Sequence, residues 1–200
     1  MTPDEIEELS FSDIPLQSDG TSLRITEADV EEFVRRNIQV LFPQDETLLI
    51  VGRQVVNKEG GRADLVALDD SGYIVLIELK RDASDMSLRK EALEFQAIRY
   101  AANYARIKEP QELIQKLFAP YIDKHRDEFG RKELTSDQLA SEILKDFLTT
   151  NKIKDFNQKQ RIVLVSSSFD SQTLSACAWL SKNNIDIRCL LIILKEGSKE

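Results

Sequence analysis

Asp64, Glu78 and Lys80 are the residues in this chain whose types suit holding a divalent cation and steadying charge beside it. The segments Arg62–Asp69 and Tyr73–Lys80 are rich in Val, Ile and Leu and flank Asp70-Ser71-Gly72. The glycine there can take the left-handed conformation that a three-residue hairpin loop needs. With Asp69 facing Tyr73, the register sets Asp64 opposite Glu78, and facing side chains start from Cβ atoms roughly 5 Å apart. Lys80, two residues beyond Glu78, shares its face, while Leu79 points the other way into a core.

Two carboxylates this close repel unless a proton or a cation lies between them. A hard, oxygen-liganded ion such as Mg²⁺ needs only one or two of them and keeps the rest of its waters. A neighbouring lysine adds a compact positive charge that can orient a water or steady a phosphate oxygen during in-line attack. A strand ending in Glu-x-Lys is, taken alone, an ordinary surface ion pair. The facing Asp64 and the unbroken apolar run Ile74–Ile77, which marks an interior strand, favour a site instead.

These residues resemble the PD-(D/E)xK nuclease superfamily. Asp64, thirteen intervening residues and Glu78-Leu79-Lys80 match its core motif. Gly61-Arg62-Ala63-Asp64-Leu65 and Ile77-Glu78-Leu79-Lys80-Arg81 are similar to its RecB-type and NucS-like branches. Those branches carry a glutamine and a tyrosine on the following helix, where this chain has Gln96 and Tyr100, four apart and on one face. The family's Pro-Asp is here Ala63-Asp64, which keeps the ligand. The resemblance is good from Glu27 to Tyr104 and looser beyond. It implies an α/β, restriction-endonuclease-like mixed β-sheet core flanked by helices, and an Mg²⁺- or Mn²⁺-dependent phosphodiesterase acting on nucleic acid, DNA first, with an endonuclease as the first expectation. Asp64, Glu78 and the Leu79 carbonyl would hold the metal, Lys80 would position water, and Gln96 with Tyr100 would orient the site or touch the nucleic-acid backbone. A glutamate from the preceding helix, Glu27 or Glu31, would join the metal. Taken singly, each reads first as an ordinary first-turn acid favoured by the helix dipole.

The remaining elements must present this hairpin. Thr26 with Asp29 predicts a capped helix whose apolar stripe runs through Val30, Phe33, Val34, Ile38 and Leu41 until Pro43. Thr47–Val55 reads as a strand, Gly60-Gly61 as the bend into the Asp64 strand, and Asp85–Arg106 as the helix bearing Gln96 and Tyr100, with Tyr104 available for packing. Residues 107–158 form a helical insertion of mixed charge, suited to capping one edge of the core or meeting a partner. Arg161–Ser166, Ser171–Asn183 and Ile185–Leu194 predict a strand, a helix and a strand, adding two parallel strands. Trp179 could stack on a base, but its spacing with Leu174 and Ala178 reads as core. Ser166–Ser168 lack the glycine-flanked elbow of a serine hydrolase and read as a loop.

Two hundred residues with 42% hydrophobic content can bury one full core. The expected organisation is an irregular lead-in over 1–22 and a single nuclease-like domain over 23–200. No apolar run is long enough for a membrane span, and the acidic Met1–Asp19 is unlike a secretory signal, so the expected setting is the cytoplasm. One histidine, His125, expected at the surface, and two cysteines, Cys177 and Cys189, expected as reduced core residues, leave no zinc cluster and no His-based triad. The net charge of −8 argues against a protein that coats nucleic acid. Arg35, Arg36, Arg81, Arg89, Lys90 and Arg99 could line a phosphate path, though each taken singly reads first as a solvated surface charge. A rival expectation is a catalytically silent nuclease-like binding or regulatory module acting through the insertion. A homodimer is left open, with no self-complementary surface visible.

Overall fold

The computed structural model describes residues 26–42, 46–56, 62–80 and 92–192. The lead-in over 1–22, Pro43, Gly60-Gly61, Arg81, Arg89, Lys90, the first part of the helix expected from Asp85 and the end of the last strand lie outside the described residues. Helix α1 (Glu27–Arg36) leads through a 3₁₀ turn (Ile38–Leu41) to β1 (Leu48–Val56), β2 (Arg62–Asp69) and β3 (Ile74–Lys80), and then α2 (Leu93–Tyr104). After α2 come α3 (Pro110–Leu113), a π-helical stretch (Ile114–Phe118), α4 (Ala119–Lys124) and α5 (Ser136–Thr150). β4 (Gln160–Ser166), α6 (Ser171–Lys182) and β5 (Asp186–Leu191) complete the described chain. The fold is α/β, a mixed five-stranded sheet in the order β1-β2-β3-β4-β5 with helices against it. β1, β2 and β3 are antiparallel neighbours, and β4 and β5 add in parallel, as the strand-helix-strand pattern predicted.

Both faces of the central strands are covered, which is why β2 and β3 are apolar without alternation. On one face Leu65, Ala67, Ile77 and Val163 pack with Val34 and Ile38 from α1 and its 3₁₀ extension. On the other, Val66, Leu76 and Leu164 pack with Ala97, Tyr100 and Tyr104 of α2. α1 begins as predicted, with Thr26 and Asp29 exchanging a reciprocal capping box. No described helix is long and apolar enough to cross a membrane.

The helices between α2 and β4 share this second core, because Leu113, Phe118, Ile122 and Leu144 are fully buried in it. They lie against β1, the edge strand of the sheet. Arg35 links them to α1: its guanidinium donates to both carboxylate oxygens of Glu128 at 2.8 Å and to the Tyr121 hydroxyl at 3.0 Å. The same guanidinium bonds Glu32, whose carboxyl it holds down at about 2. Arg35 is therefore a buried brace and not part of a phosphate path. His125 is half-buried against the Tyr121 ring, with centroids 4.7 Å apart, and not fully at the surface. Cys177 is buried, Cys189 half-buried, and both are free thiols.

α6 departs from its predicted face. Trp179 is 64% exposed and Leu174 47%, while Thr173 and Cys177 point inward. The inner stripe is made by a small polar and a small apolar residue, since the Thr173 hydroxyl donates to buried Glu94 of α2 at 3.2 Å. Apolar periodicity therefore picked the wrong side. Trp179 instead lines a groove of ≈ 660 Å³ between α2 and α6, together with Phe95 and Ile98.

The hairpin turn sets the register on which everything else rests. Asp69 N–H donates to Tyr73 O at 3.0 Å and Gly72 N–H to Asp69 O at 2.9 Å, with Gly72 at φ +81°. A Cβ at Gly72 would lie 2.6 Å from Ile153 Cγ2 and 2.8 Å from the Asp155 carbonyl oxygen. Gly72→Ala should thus cost about 1–3 kcal/mol through strain and collision together, measured by urea denaturation followed by circular dichroism; an unchanged midpoint would show that the turn does not need a glycine.

Candidate functional site

The β2–β3 ladder pairs Leu68 with Ile74 and runs to Leu65 opposite Ile77, so one further step in that register sets Asp64 opposite Glu78. The paired ladder ends at Leu65 and Ile77, and a side chain continues it: Leu79 N–H donates to Asp64 Oδ2 at 2.8 Å. Glu78 is fully buried, and Asp64 and Lys80 are nearly so. In an antiparallel pair the N–H and C=O of one residue point the same way. Tyr73 C=O and Leu79 N–H both bond toward β2, which turns the Leu79 carbonyl toward the Asp64 side as well.

Burial is the main cause that pushes the Asp64 carboxyl up to about 7. The Leu79 N–H opposes it, the negative charges of Glu31 and Glu27 add to it, and the neighbouring Glu78 carboxyl again opposes it. A carboxyl this far above the usual range holds its proton near neutrality unless a cation replaces that proton.

Lys80 Nζ donates to Glu27 Oε1 at 2.7 Å and lies 4.0 Å from Asp64 Oδ2. Glu27, in the first turn of α1, is therefore brought to the site through the lysine. Glu31 is buried one turn further along, where Arg53 Nε donates to it at 2.6 Å and Gln54 Nε2 at 2.9 Å. Both donors follow a register shift in β1 between Ile50 and Gly52, and Gln54 stands in the left-handed region at φ +49°. Sequence reasoning missed this pair. A non-glycine residue with positive φ inside a strand leaves no signal in residue type.

Gln96 and Tyr100 meet as their spacing predicted: Gln96 Nε2 donates to the Tyr100 hydroxyl at 3.1 Å. That hydroxyl also accepts the backbone N–H of Arg62 at 3.0 Å, two residues before Asp64. The structure thus brings together Asp64, Glu78, Lys80 and Glu27, with Gln96 and Tyr100 fastening the entry of β2. Glu31 is held by Arg53 and Gln54 and still lies near enough that its charge acts on Asp64 more strongly than that of Glu27.

Among the described residues no group of three or more His, Cys, Asp or Glu side chains is arranged to hold a metal ion. Two buried carboxylates and a carbonyl directed at them fit an ion of the magnesium type, which keeps several waters. They do not fit a closed, all-protein cage.

No protein-family model matches this chain, and no curated protein does. Two solved structures are similar in fold: a complex of EndoMS with double-stranded DNA (TM-score 0.40, 20% identity, 89% of this chain and 50% of that one) and a repair endonuclease from Pyrococcus abyssi (TM-score 0.38, 20% identity, 84% and 48%). The chain spans about half the length of each.

Asp64 binds its proton more tightly in the folded chain than in the unfolded one, where its carboxyl titrates near 3.8. The stability this contributes is full below that value and is lost as pH rises through about 7. Asp64→Asn should therefore gain on the wild type as pH rises from 5 to 8, by on the order of 1–3 kcal/mol. Urea denaturation of both proteins across that range, in chelator, measures the gap; a gap independent of pH would mean that Asp64 titrates as an ordinary carboxylate.

Proposed function

We propose that this chain is a metal-dependent nuclease that hydrolyses phosphodiester bonds in DNA. The observation that carries the reading is the pair of buried carboxylates at the open end of the β2–β3 ladder, with the Lys80 ammonium 4.0 Å from one of them. Burying acids together is costly. A divalent ion removes that cost and gives the burial a purpose.

Asp64 and Glu78, with the Leu79 carbonyl, would hold Mg²⁺ or Mn²⁺, which supplies Lewis-acid polarisation of a phosphoryl oxygen. Leu79 N–H anchors one oxygen of Asp64 and leaves the other for the ion. Glu27 fixes the Lys80 ammonium at the rim, where its remaining N–H donors can orient the attacking water and steady the charge that builds on phosphate. In the displacement, the water oxygen bonds to phosphorus as the phosphorus–oxygen bond of the leaving nucleotide breaks, and that oxygen ends protonated. Tyr100 and Gln96 act on the protein side, because their hydrogen bonds go to each other and to the Arg62 backbone, which steers β2 into the site.

Incubating the protein with single-stranded, double-stranded, mismatched and branched DNA in Mg²⁺ or Mn²⁺ tests this. Cutting should require the metal and should fall by about a hundredfold or more in Asp64→Ala and Lys80→Ala, the size of effect expected for removing preorganised charge from a reacting centre. No cutting of any substrate would defeat the proposal.

The second reading, a nuclease-like module that binds a partner without catalysis, is favoured by the net charge of −8 and by the engagement of Lys80 with Glu27. It predicts no heat on titration with Mn²⁺, whereas the nuclease predicts a heat that Asp64→Ala abolishes.

A further inference from the structure

Tyr104 is a buried polar residue of α2 outside the Asp64–Glu78–Lys80 cluster. It lies one turn beyond Tyr100 and two beyond Gln96, on the same stripe of α2. It is 5% exposed, and its hydroxyl has no hydrogen-bond partner among the described residues. A buried hydroxyl left unmatched costs about 1–3 kcal/mol, and a phenylalanine would fill the same space without that cost.

The surroundings point the phenol in one direction. The Tyr104 carbonyl accepts Asn157 Nδ2 at 2.9 Å, and Asn157 Oδ1 accepts the N–H of Ile74 at 3.3 Å. The last turn of α2 is thereby pinned beside the first residue of β3. Helix side chains lean toward the helix N-terminus, and for α2 that is the end where Tyr100 meets Arg62 near Asp64. The phenol therefore extends along β3 toward its site end. Ile74 and Leu76 share a core with Tyr104, and strand alternation puts Glu78 on their face. Glu78 and Tyr104 are also close enough that the carboxylate's charge, after burial, raises the pKa of the phenol, which remains an O–H donor.

We infer that Tyr104 is a positioning residue: its hydroxyl, unmatched among the described residues, donates to Glu78 when that carboxylate takes a cation and holds it in the ligating orientation. This rests on the function proposed above, in which Glu78 is a metal ligand. Groups that hydrogen-bond to ligating carboxylates orient them, and removing such a group typically lowers metal affinity 10–100-fold.

The test is Tyr104→Phe in the full chain, titrated calorimetrically with Mn²⁺ and assayed for cleavage over a range of Mn²⁺ concentrations. A packing role leaves affinity unchanged. The positioning role predicts binding weaker by about tenfold or more, a matching rise in the Mn²⁺ concentration for half-maximal cleavage, and a rate at saturating Mn²⁺ that recovers most of the wild-type value. In the double variant with Glu78→Gln, the phenol should have no further effect. Wild-type Mn²⁺ affinity in Tyr104→Phe would overturn the inference while leaving the nuclease reading intact. Absence of Mn²⁺ binding by the wild type would overturn both.

Discussion

The hydrogen bond from Leu79 N–H to Asp64 is the contact on which the candidate site depends. Backbone pairing between β2 and β3 is replaced there by a side chain, and an acidic side chain is the one that can accept a strand's N–H while still offering a second oxygen. The substitution holds Asp64 against Glu78 under a covered sheet, where neither acid reaches bulk water readily. The result is a concentration of negative charge that a proton or a metal ion must balance. The raised pKa of Asp64 is the electrostatic expression of that balance.

Around this contact the molecule is built so that the hairpin cannot slide. Gly72 sets the turn, Asn157 ties the turn to α2 and β4, and the Tyr100 hydroxyl holds the opposite end through Arg62. A register slip of one residue would send Asp64 to the other face of the sheet. Each fastening uses a backbone group, so the constraint acts on the path of the chain itself.

The helical insertion takes part in this arrangement. Arg35 joins α1 to Glu128 and Tyr121, so the helix that delivers Glu27 to Lys80 is braced by residues about ninety positions later in the chain. The ion pairs continue from Glu32 through Arg53 to Glu31. Because all of its members except Glu128 are buried or half-buried, this network is screened less by salt than surface pairs and holds α1 at a defined depth against the sheet. The apolar groove beside Trp179 lies between α2 and α6, on the side of α2 turned away from Tyr100.

Local pattern was enough for the hairpin. The turn glycine, the alternation of Glu78 and Lys80 and the four-residue spacing of Gln96 and Tyr100 each express a fixed period of strand or helix, and the pairing of Asp64 with Glu78 follows by counting. The capping box at Thr26 and the parallel addition of β4 and β5 were legible for the same reason. Residue type misled where a short polar side chain made the inner contact: Thr173 turned α6 so that Trp179 faced outward. Other features have no local signature at all. That Glu27 reaches Lys80 while Glu31 is held by Arg53 and Gln54, that Arg35 is buried, and that Tyr104 shares a face with Glu78 all depend on how α1, the bulged β1 and α2 pack against one sheet. The sequence by itself determined which residues could do chemistry and which pairs a strand or helix period would align. Only the tertiary structure decided which charges were buried together, because that depends on the depth and rotation of whole elements, set by contacts between residues far apart in the chain.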